Sequence, residues 1–476
     1  MTSLDLAVMA AYFVAVLGVG AYFARQTGDA GDYFLGRHQL PWWTVMLSIV
    51  ATETSALTVI SIPGIGARGD MTFLQIAFGY LVGRAVVAWW LLPGYFDGEQ
   101  ETAYARLEAR FGSRTRRLAS AVFMVIRALG DSVRVFATAI PLSIVTGWSM
   151  VTSVVVIAAV TVAYTWAGGI RAVVWIDVMQ LVLYTVGGVA TVVVAASIVG
   201  SLGDAVGAAN AAGKLRMIDW SLSFTAPYTF VAGLVGGALL SAASHGTDHL
   251  IVQRILATRN LSAARKALVG SGILVIGQFA LFLLVGVMLW AAGADDPSRT
   301  SDELYPYFIV NQLPSGLAGL VVAGVLAAAM STVSSSLNSL ASATTHDFIG
   351  PLRGERDPRR LLIIGRWATL AWALVLVGGA LSFQSDQPVV ELALSIASIT
   401  YGGLLGTYIL GGASKRFEQR DVMAAILVST AIMIVVVLFP PGPIARLAWP
   451  WYVPLGTVIT LLTAVVSAGV RRTASA

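Results

Sequence analysis

A run of hydroxyl side chains lies inside one long apolar segment, roughly residues 316–345. On a helix, residues spaced i, i+3, i+4, i+7 share one face. Seven positions follow that spacing: Ala328, Ser331, Thr332, Ser335, Asn338, Ser339 and Ser342. Such a face has two interpretations. Small residues and hydroxyls allow helices to pack closely, and hydroxyl and carbonyl oxygens bind small hard cations such as Na⁺.

Two other apolar segments are interrupted by polar residues. Residues 48–61 contain seven polar side chains at what would be membrane depth, and Pro63-Gly64 follow them. In the second segment, Gly236-Gly237 precede a polar stretch at residues 241–248. Unwound backbone at membrane depth is tolerated only where it is buried in protein or lines a cavity. The two interruptions therefore predict a site in the middle of the membrane.

Three charged residues form another candidate site. Arg127, Asp131 and Arg134 follow i, i+4, i+7 spacing and so share one face of a helix. Either the three form an ion-pair ladder, or one arginine holds a substrate carboxylate. Because Asp131 neutralises a single arginine, this face carries an excess charge of +1 that a substrate anion would balance.

The composition is that of a polytopic membrane protein. Of the 476 residues, 57% are hydrophobic and 12% are charged, whereas soluble domains carry about 25% charged residues. There is no cysteine, which excludes disulfides and cysteine-ligated metal sites. The net charge of +5 comes from basic residues in short loops, which indicates membrane topology rather than a nucleic-acid-binding surface.

The elements that must position these residues are membrane-spanning helices. With about 20 apolar residues needed for each span, the sequence predicts about 13 spans in one transmembrane domain, residues 1–476. Numbered in chain order, they lie near residues 4–24, 42–66, 72–96, 118–146, 150–167, 174–199, 225–249, 267–292, 316–345, 361–383, 388–410, 421–440 and 452–470.

The order of the spans predicts an internal repeat. The interrupted spans 2 and 7 are five apart, as in transporters built from two inverted repeats around a midplane site. Repeat 1 is expected over about residues 42–199 and repeat 2 over about residues 225–410, flanked by spans 1, 12 and 13. With the N-terminus outside, 21 of the 30 Lys and Arg residues, Arg254 among them, are expected in inner loops and five in outer loops. This asymmetry predicts a cytoplasmic C-terminus.

Four motifs give the chain a family resemblance. They are Leu40-Pro41-Trp42-Trp43 before span 2, residues 168–180 from Gly168-Gly169 to Gln180, Val252-Gln253-Arg254 after the second interruption, and the hydroxyl run 331–339. Together they resemble the solute:sodium symporter family. The resemblance covers nearly the whole chain and implies a leucine-transporter-type fold, with 5+5 inverted repeats.

The resemblance also implies sodium sites. The main ion is expected between spans 2 and 9. Its ligands, carried over by position, are the carbonyls of Ala51, Thr54 and Ala328 and the hydroxyls of Ser331 and Thr332. Some family members hold a second Na⁺ nearer the cytoplasm. The matching residues are Asp177, Ser334 and Ser335.

On the substrate side, the sequence departs from the sugar carriers of the family. Leu57-Thr58 and Ser244-His245 replace their Glu-Gln and Tyr-Trp pairs, and span 2 is nearer that of the proline and monocarboxylate branches. Arg127 or Arg134 is expected to hold a carboxylate. The other substrate contacts implied by the resemblance are Glu53, Ser55, Thr58, Ser244, His245, Gln278, Thr400 and Tyr401.

The sequence thus predicts a sodium-coupled secondary active symporter that imports a small organic solute by alternating access. A bacterial inner-membrane protein that functions as a monomer is expected. Two alternatives remain open. Asp177 and Glu53 could carry protons in place of Na⁺, and some family members report solute as sensors. An enzyme is not expected, since His245, Asp248 and His249 are the nearest approach to a catalytic or metal-binding group.

Overall fold

The computed structural model describes residues 2–98, 100–382, 389–413 and 415–475. Within these ranges the chain is helical apart from its loops, and the strand-like pairing is one bridge between Leu40 and Thr258. All 13 predicted segments contain helix. The helices of the spans, in chain order, are Ser3–Ala24, Trp42–Glu53 with Ala56–Arg68, Leu74–Val86 with Val87–Leu91, Ser113–Thr146, Met150–Val199 for spans 5 and 6, Gly237–Gly246 with His249–Leu256, Leu261–Ala291, Leu317–Ala343, Pro358–Ser382, Val389–Ala413, Gln419–Leu438 and Tyr452–Ser475.

Length and composition alone select fewer spans than predicted. In the described residues, eight helices are long and apolar enough to cross a membrane, or nine if the bent pair of span 2 counts as one. One of the eight, Met150–Val199, has 50 residues. It would be about 75 Å long if straight, more than twice the thickness of a bilayer core. The count of 13 spans stays a prediction.

Gly169 divides that long helix into spans 5 and 6. Its φ of 57° and ψ of −154° lie outside the helical region, and glycine adopts positive φ without steric cost. A Cβ atom at this position would lie 2.5 Å from the carbonyl oxygen of Tyr33. The helix Ala30–Leu35 therefore packs directly against the break, on the backbone of Gly169.

Span 2 breaks in the middle of its polar stretch, as predicted. Its half-helices Trp42–Glu53 and Ala56–Arg68 leave out Thr54 and Ser55, and the bend is 61°. The second half packs closely on span 8. A Cβ on Gly66 would lie 2.4 Å from the carbonyl oxygen of Leu283. This close approach fixes the direction of the second half.

Span 7 also breaks as predicted. The helix Gly237–Gly246 ends before Thr247, and a new helix, His249–Leu256, begins at Asp248, whose carboxylate accepts a hydrogen bond from the backbone N–H of Leu250 at 2.9 Å. The second half-helix of span 7 therefore has its own N-cap, Asp248.

Some predicted boundaries shift by several residues. Span 7 extends to Leu256 instead of residue 249, because Asp248 starts another helix. Span 3 ends at Leu91 instead of residue 96, where a short turn Pro93–Tyr95 follows. The predicted ends of spans 10 and 11 at residues 383 and 388 lie outside the described residues.

Among the eight described helices that are long and apolar enough to cross a membrane, span 9 is the most enclosed. Nearly every residue of Leu317–Ala343 is buried, whereas most residues of span 1 remain accessible. The helix packs on the long helix Met150–Val199 and on spans 1, 4 and 10. Its hydroxyl face is therefore enclosed by protein.

Candidate functional site

The break in span 2 leaves backbone carbonyls outside the helical hydrogen-bond ladder. The N–H of Ser55 donates to the carbonyl of Glu53 at 3.0 Å, whereas in a continuous helix it would bond to Ala51. Thr54 lies between the two half-helices, with φ −78° and ψ 82°. The break thus takes the carbonyls of Ala51 and Thr54, two of the ligands that the family resemblance implies, out of the helical ladder.

Span 9 meets this break through Thr332. The Thr332 hydroxyl is 3.5 Å from the carbonyl oxygen of Thr52 and 3.4 Å from that of Ala328, and donates to both. Ala51, Thr54, Ala328 and Thr332 are all at most 2% exposed. The joint brings neutral oxygen atoms from two helices together, away from solvent. A set of neutral oxygens suits a monovalent cation better than a divalent one, because it carries no negative charge to offset a second positive charge.

The hydroxyl of Ser331, the fifth predicted ligand, lies next to an acid. It donates to the Asp177 carboxylate at 2.6 Å, and the Ser48 hydroxyl donates to the same carboxylate. Of the other residues predicted for a second ion, Ser334 and Ser335 donate to the carbonyl of Ser331 at 3.0 and 2.6 Å. The structure thus gathers Asp177 and the serines of span 9 in one buried cluster.

Arg254 also lies in this cluster. The sequence predicts it in an inner loop instead. Its side chain is fully buried on His249–Leu256 and its Nη2 is 3.2 Å from Asp177 Oδ2. The placement follows from the N-cap at Asp248, which carries the helix past the end predicted for span 7. The signal in the sequence is that Arg254 and Gln253 stand between apolar residues on both sides in the stretch 250–256.

A central cavity lies beside the span 2 break. Apolar side chains such as Phe73 and Phe279 form part of its wall, and Thr52 and Thr332 connect it to the joint with span 9. Eight of the ten residues predicted to contact substrate line it: Glu53, Ser55, Thr58, Arg127, Arg134, Ser244, His245 and Tyr401.

The charges of the cavity wall balance in pairs. Arg127 donates to Asp248, and the Tyr401 hydroxyl donates to the same carboxylate at 2.7 Å. Arg134 donates to Asp131 at 2.7 Å. The predicted excess charge of +1 on this face is therefore wrong, because Asp248 of span 7 supplies a second carboxylate that helix spacing alone does not place.

Glu53 is also paired. Arg84, fully buried on span 3, donates to its carboxylate and, at 2.7 Å, to the Ser271 hydroxyl. His245 is 2% exposed, with its Nε2 3.8 Å from Glu53 and its Nδ1 2.8 Å from the Ser244 hydroxyl. Glu53, Asp131 and Asp248 thus each face an arginine.

The amino-acid sequence matches the family model described as "Sodium:solute symporter family" over residues 33–429. The chain belongs to this family. A sodium/sialic acid symporter of Aliivibrio fischeri is 28% identical over 435 residues, which is 89% of this chain and 86% of that protein. The members of the family and this relative are sodium-coupled transporters, not enzymes. The chain described here is likewise a symporter, and it carries a small organic solute with Na⁺.

Solved structures share the fold of this symporter. A Na⁺-coupled sialic acid symporter, described as substrate-bound and outward-open with a novel Na⁺ site, superposes with a TM-score of 0.88 at 26% identity, over 98% of each chain. A nucleobase-cation symporter in a closed conformation gives a TM-score of 0.61 at 15% identity, over 92% of this chain and 94% of that chain. The predicted leucine-transporter-type fold is thus confirmed.

Two predicted substrate contacts of the symporter lie elsewhere. Thr400 lines a smaller neighbouring cavity, together with Asp131, Asp248 and Tyr401. Gln278 is 7% exposed on span 8 and, among the described residues, belongs to the lining of neither cavity. The family resemblance places both residues on spans that border the central cavity, but it does not show which face of spans 8 and 11 turns to that cavity.

The histidines of span 7 do not form a metal centre with Asp248. His249 turns away to the Ser342 hydroxyl, 3.0 Å from its Nε2. Across the described ranges no three His, Asp or Glu side chains group as metal ligands.

Proposed function

We propose that this symporter binds Na⁺ where the break of span 2 meets span 9, and uses it to import a small carboxylate. The supporting observation is the pair of carbonyls at Ala51 and Thr54, freed by the break next to Thr332. Together with the Ala328 carbonyl and the Ser331 hydroxyl they supply five oxygen ligands.

An ion at this joint would couple the two repeats. Span 2 belongs to repeat 1 and span 9 to repeat 2, so Na⁺ bound between them stabilises one relative arrangement of the repeats. A ligand shifts a conformational equilibrium only by its differential affinity for the two states. Na⁺ therefore favours the outward-open state, substrate binds in the adjacent cavity, and the repeats then rock to the inward-open state.

Arg134 is the proposed anchor for the solute carboxylate. Arg127, the alternative, is bonded to both Asp248 and Tyr401. The Arg134 side chain is 19% exposed, borders the cavity and uses Nη1 for Asp131. Its Nε has no hydrogen-bond partner among the described residues. A planar guanidinium with donors to spare suits bidentate binding of a carboxylate, and sialic acid, carried by relatives, has one.

Proton coupling is less favoured than sodium coupling. The two acids that could carry a proton, Asp177 and Glu53, are each paired with a buried arginine. Protonating either acid would leave that arginine without a counter-charge, which is costly away from water. The neutral oxygen site at the joint has no such cost.

The proposed location is a bacterial inner membrane, with the N-terminus outside and the protein working as a monomer. The basic loops support this orientation by the positive-inside rule. Large apolar side chains on spans 1, 10 and 13 are strongly exposed, among them Val14, Leu374 and Val466, and suit lipid contact. Both repeats and the cavity between them belong to one chain, so the site needs no second copy.

Purified protein in proteoliposomes tests the proposal, with sialic acid as the carboxylate probe and its methyl ester as the neutral control. Uptake of the acid is expected to need an inward Na⁺ gradient and to disappear when choline replaces Na⁺. A carboxylate panel extends the test if sialic acid itself is not carried. Uptake driven equally well without Na⁺, or an ester that binds as well as its acid, would contradict the proposal.

A further inference from the structure

A groove on the surface of the helix bundle lies between the C-terminal end of span 9 and span 10. Beyond Ala343, span 9 continues as a π-helical turn, Thr344–Ile349, and a last turn, Gly350–Arg353. These turns form one side of the groove, and span 10 forms the other side from Ile363 to Val375. The volume of the groove is about 660 Å³, which lies within the range of small-molecule binding sites.

The wall of this groove is apolar and exposed. Ile363, Trp367 and Val375 are 57%, 68% and 49% exposed. The indole N–H of Trp372 donates to the Thr344 hydroxyl at 2.9 Å, so the polar group of this side chain is satisfied within the protein. From Ile363 to Val375 the wall is about 18 Å long at the rise of an α-helix, slightly more than half of the ~30 Å hydrocarbon core of a bilayer. Its length therefore suits the acyl chain of a lipid in one leaflet.

A positive charge lies at the end of the groove nearest the connection between spans 9 and 10. Arg353 lines the groove and is exposed, and its guanidinium has no carboxylate partner among the described residues. Arg360 of the same connection is instead paired with Glu355 and Asp357, at 3.3 and 3.8 Å. Residues 350–360 hold four arginines and two carboxylates. An anionic group at this end of the groove would supply the missing counter-charge.

We propose that the groove binds one anionic phospholipid, with its acyl chain along span 10 and its phosphate at Arg353. A chain and a charged headgroup in one molecule match an apolar wall that ends at an arginine. Basic pockets between transmembrane helices on the cytoplasmic side recognise anionic headgroups in this way, and the proposed orientation places this end of span 9 in the cytoplasm. Among the described residues, the groove and the central cavity share no lining residue, so the lipid site is separate from the solute site.

Lipid binding to the purified, delipidated protein in detergent tests this inference, with native mass spectrometry counting the bound molecules. The probes are anionic phosphatidylglycerol and zwitterionic phosphatidylethanolamine with identical acyl chains. Wild type is expected to hold one phosphatidylglycerol roughly fivefold more tightly than phosphatidylethanolamine, and inorganic phosphate at the same concentration should not displace it. Equal affinity for the two lipids would show ordinary lipid contact and overturn the inference, and displacement by phosphate would show an anion site that needs no lipid.

Two pairs of variants locate the site. Arg353→Gln should remove the preference for the anionic lipid, whereas Arg359→Gln takes the same charge from the same connection outside the groove and should keep it. Ala371→Phe fills the groove and should abolish retention of the lipid, whereas Ala10→Phe on span 1 should not. All four residues are exposed, so the variants are expected to fold. A preference that survives in Arg353→Gln, or a lipid retained in Ala371→Phe, would overturn the inference.

Discussion

Arg127 of span 4 donates a hydrogen bond to Asp248 at the break of span 7. The two residues are 121 positions apart in the chain, and the Tyr401 hydroxyl of span 11 donates to the same carboxylate. The contact joins three spans behind the cavity and removes the charge excess that the sequence of span 4 suggests. The two arginines also differ in their contacts. Arg127 is bonded to Asp248, whereas the Nε–H of Arg134 has no hydrogen-bond partner among the described residues and remains near the cavity.

Arg134→Gln is expected to weaken binding of a carboxylate solute by roughly ten- to a hundredfold, the usual cost of losing a hydrogen bond to a charged group. Arg134→Lys should recover little, because lysine lacks the planar fork that binds both carboxylate oxygens. Thermal shift with sialic acid and related acids measures the affinity, and Na⁺ binding serves as the check on folding. Solute affinity equal to wild type in Arg134→Gln would contradict the assignment.

Arg127→Gln is the matched control, and should act on stability instead. It leaves Asp248 buried without its cation, which costs about 3–5 kcal/mol of unfolding free energy. Thermal unfolding of the detergent-solubilised protein measures this loss. A variant that unfolds like wild type but no longer binds the acid would show that Arg127, rather than Arg134, contacts the solute.

Glu53 and Arg84 are expected to be a structural pair. Arg84 is fully buried against Glu53 and Ser271, so Glu53→Gln leaves a buried guanidinium unpaired. Its cost should again be about 3–5 kcal/mol, and removing both charges should cost less than removing one. A double-mutant cycle on thermal stability checks this. Additive losses in Glu53→Gln with Arg84→Gln would show that the two residues do not interact.

The helix breaks beside the proposed ion site could be predicted from the sequence, and the ion pairs could not. The break of span 2, the break at Thr247–Asp248 and the hydroxyl face of span 9 are local properties of polar residues in apolar segments, and the structure contains all three. Arg254, by contrast, is predicted in a loop, because the polar residues 244–248 hide the N-cap at Asp248 that starts its helix. The partners of Arg84 and Arg127 lie on other spans, and helix spacing carries no information about such contacts.

Gly169→Ala is expected to destabilise the fold by about 1–3 kcal/mol, from backbone strain at positive φ and contact with the carbonyl of Tyr33, 2.5 Å from the added Cβ. Gly277→Ala on span 8 is the matched control. A Cβ there would meet nothing within 4 Å, and alanine favours helix. Equal thermal stability of the two variants would contradict the role of Gly169 as the hinge between spans 5 and 6.

The orientation of the chain can be tested by cysteine labelling, because the natural sequence has no cysteine. Leu222, 83% exposed in the connection between spans 6 and 7, is expected outside. Arg359, exposed in the first turn of the span 10 helix Pro358–Ser382, is expected inside. In intact cells a membrane-impermeant maleimide should label Leu222→Cys alone. The reverse pattern would place the N-terminus in the cytoplasm.

Sodium binding by Thr332→Ala tests the proposed coupling site most directly. Thr332 bridges the two helices at the joint, and loss of a ligand to a buried cation should weaken Na⁺ affinity roughly ten- to a hundredfold. Thr407→Ala is the matched control, since its buried hydroxyl bonds to the carbonyl of Gly403 within span 11. The prediction is weakened radioactive-Na⁺ binding in Thr332→Ala and wild-type binding in Thr407→Ala. Equal Na⁺ affinity in the two variants would contradict a sodium site between spans 2 and 9.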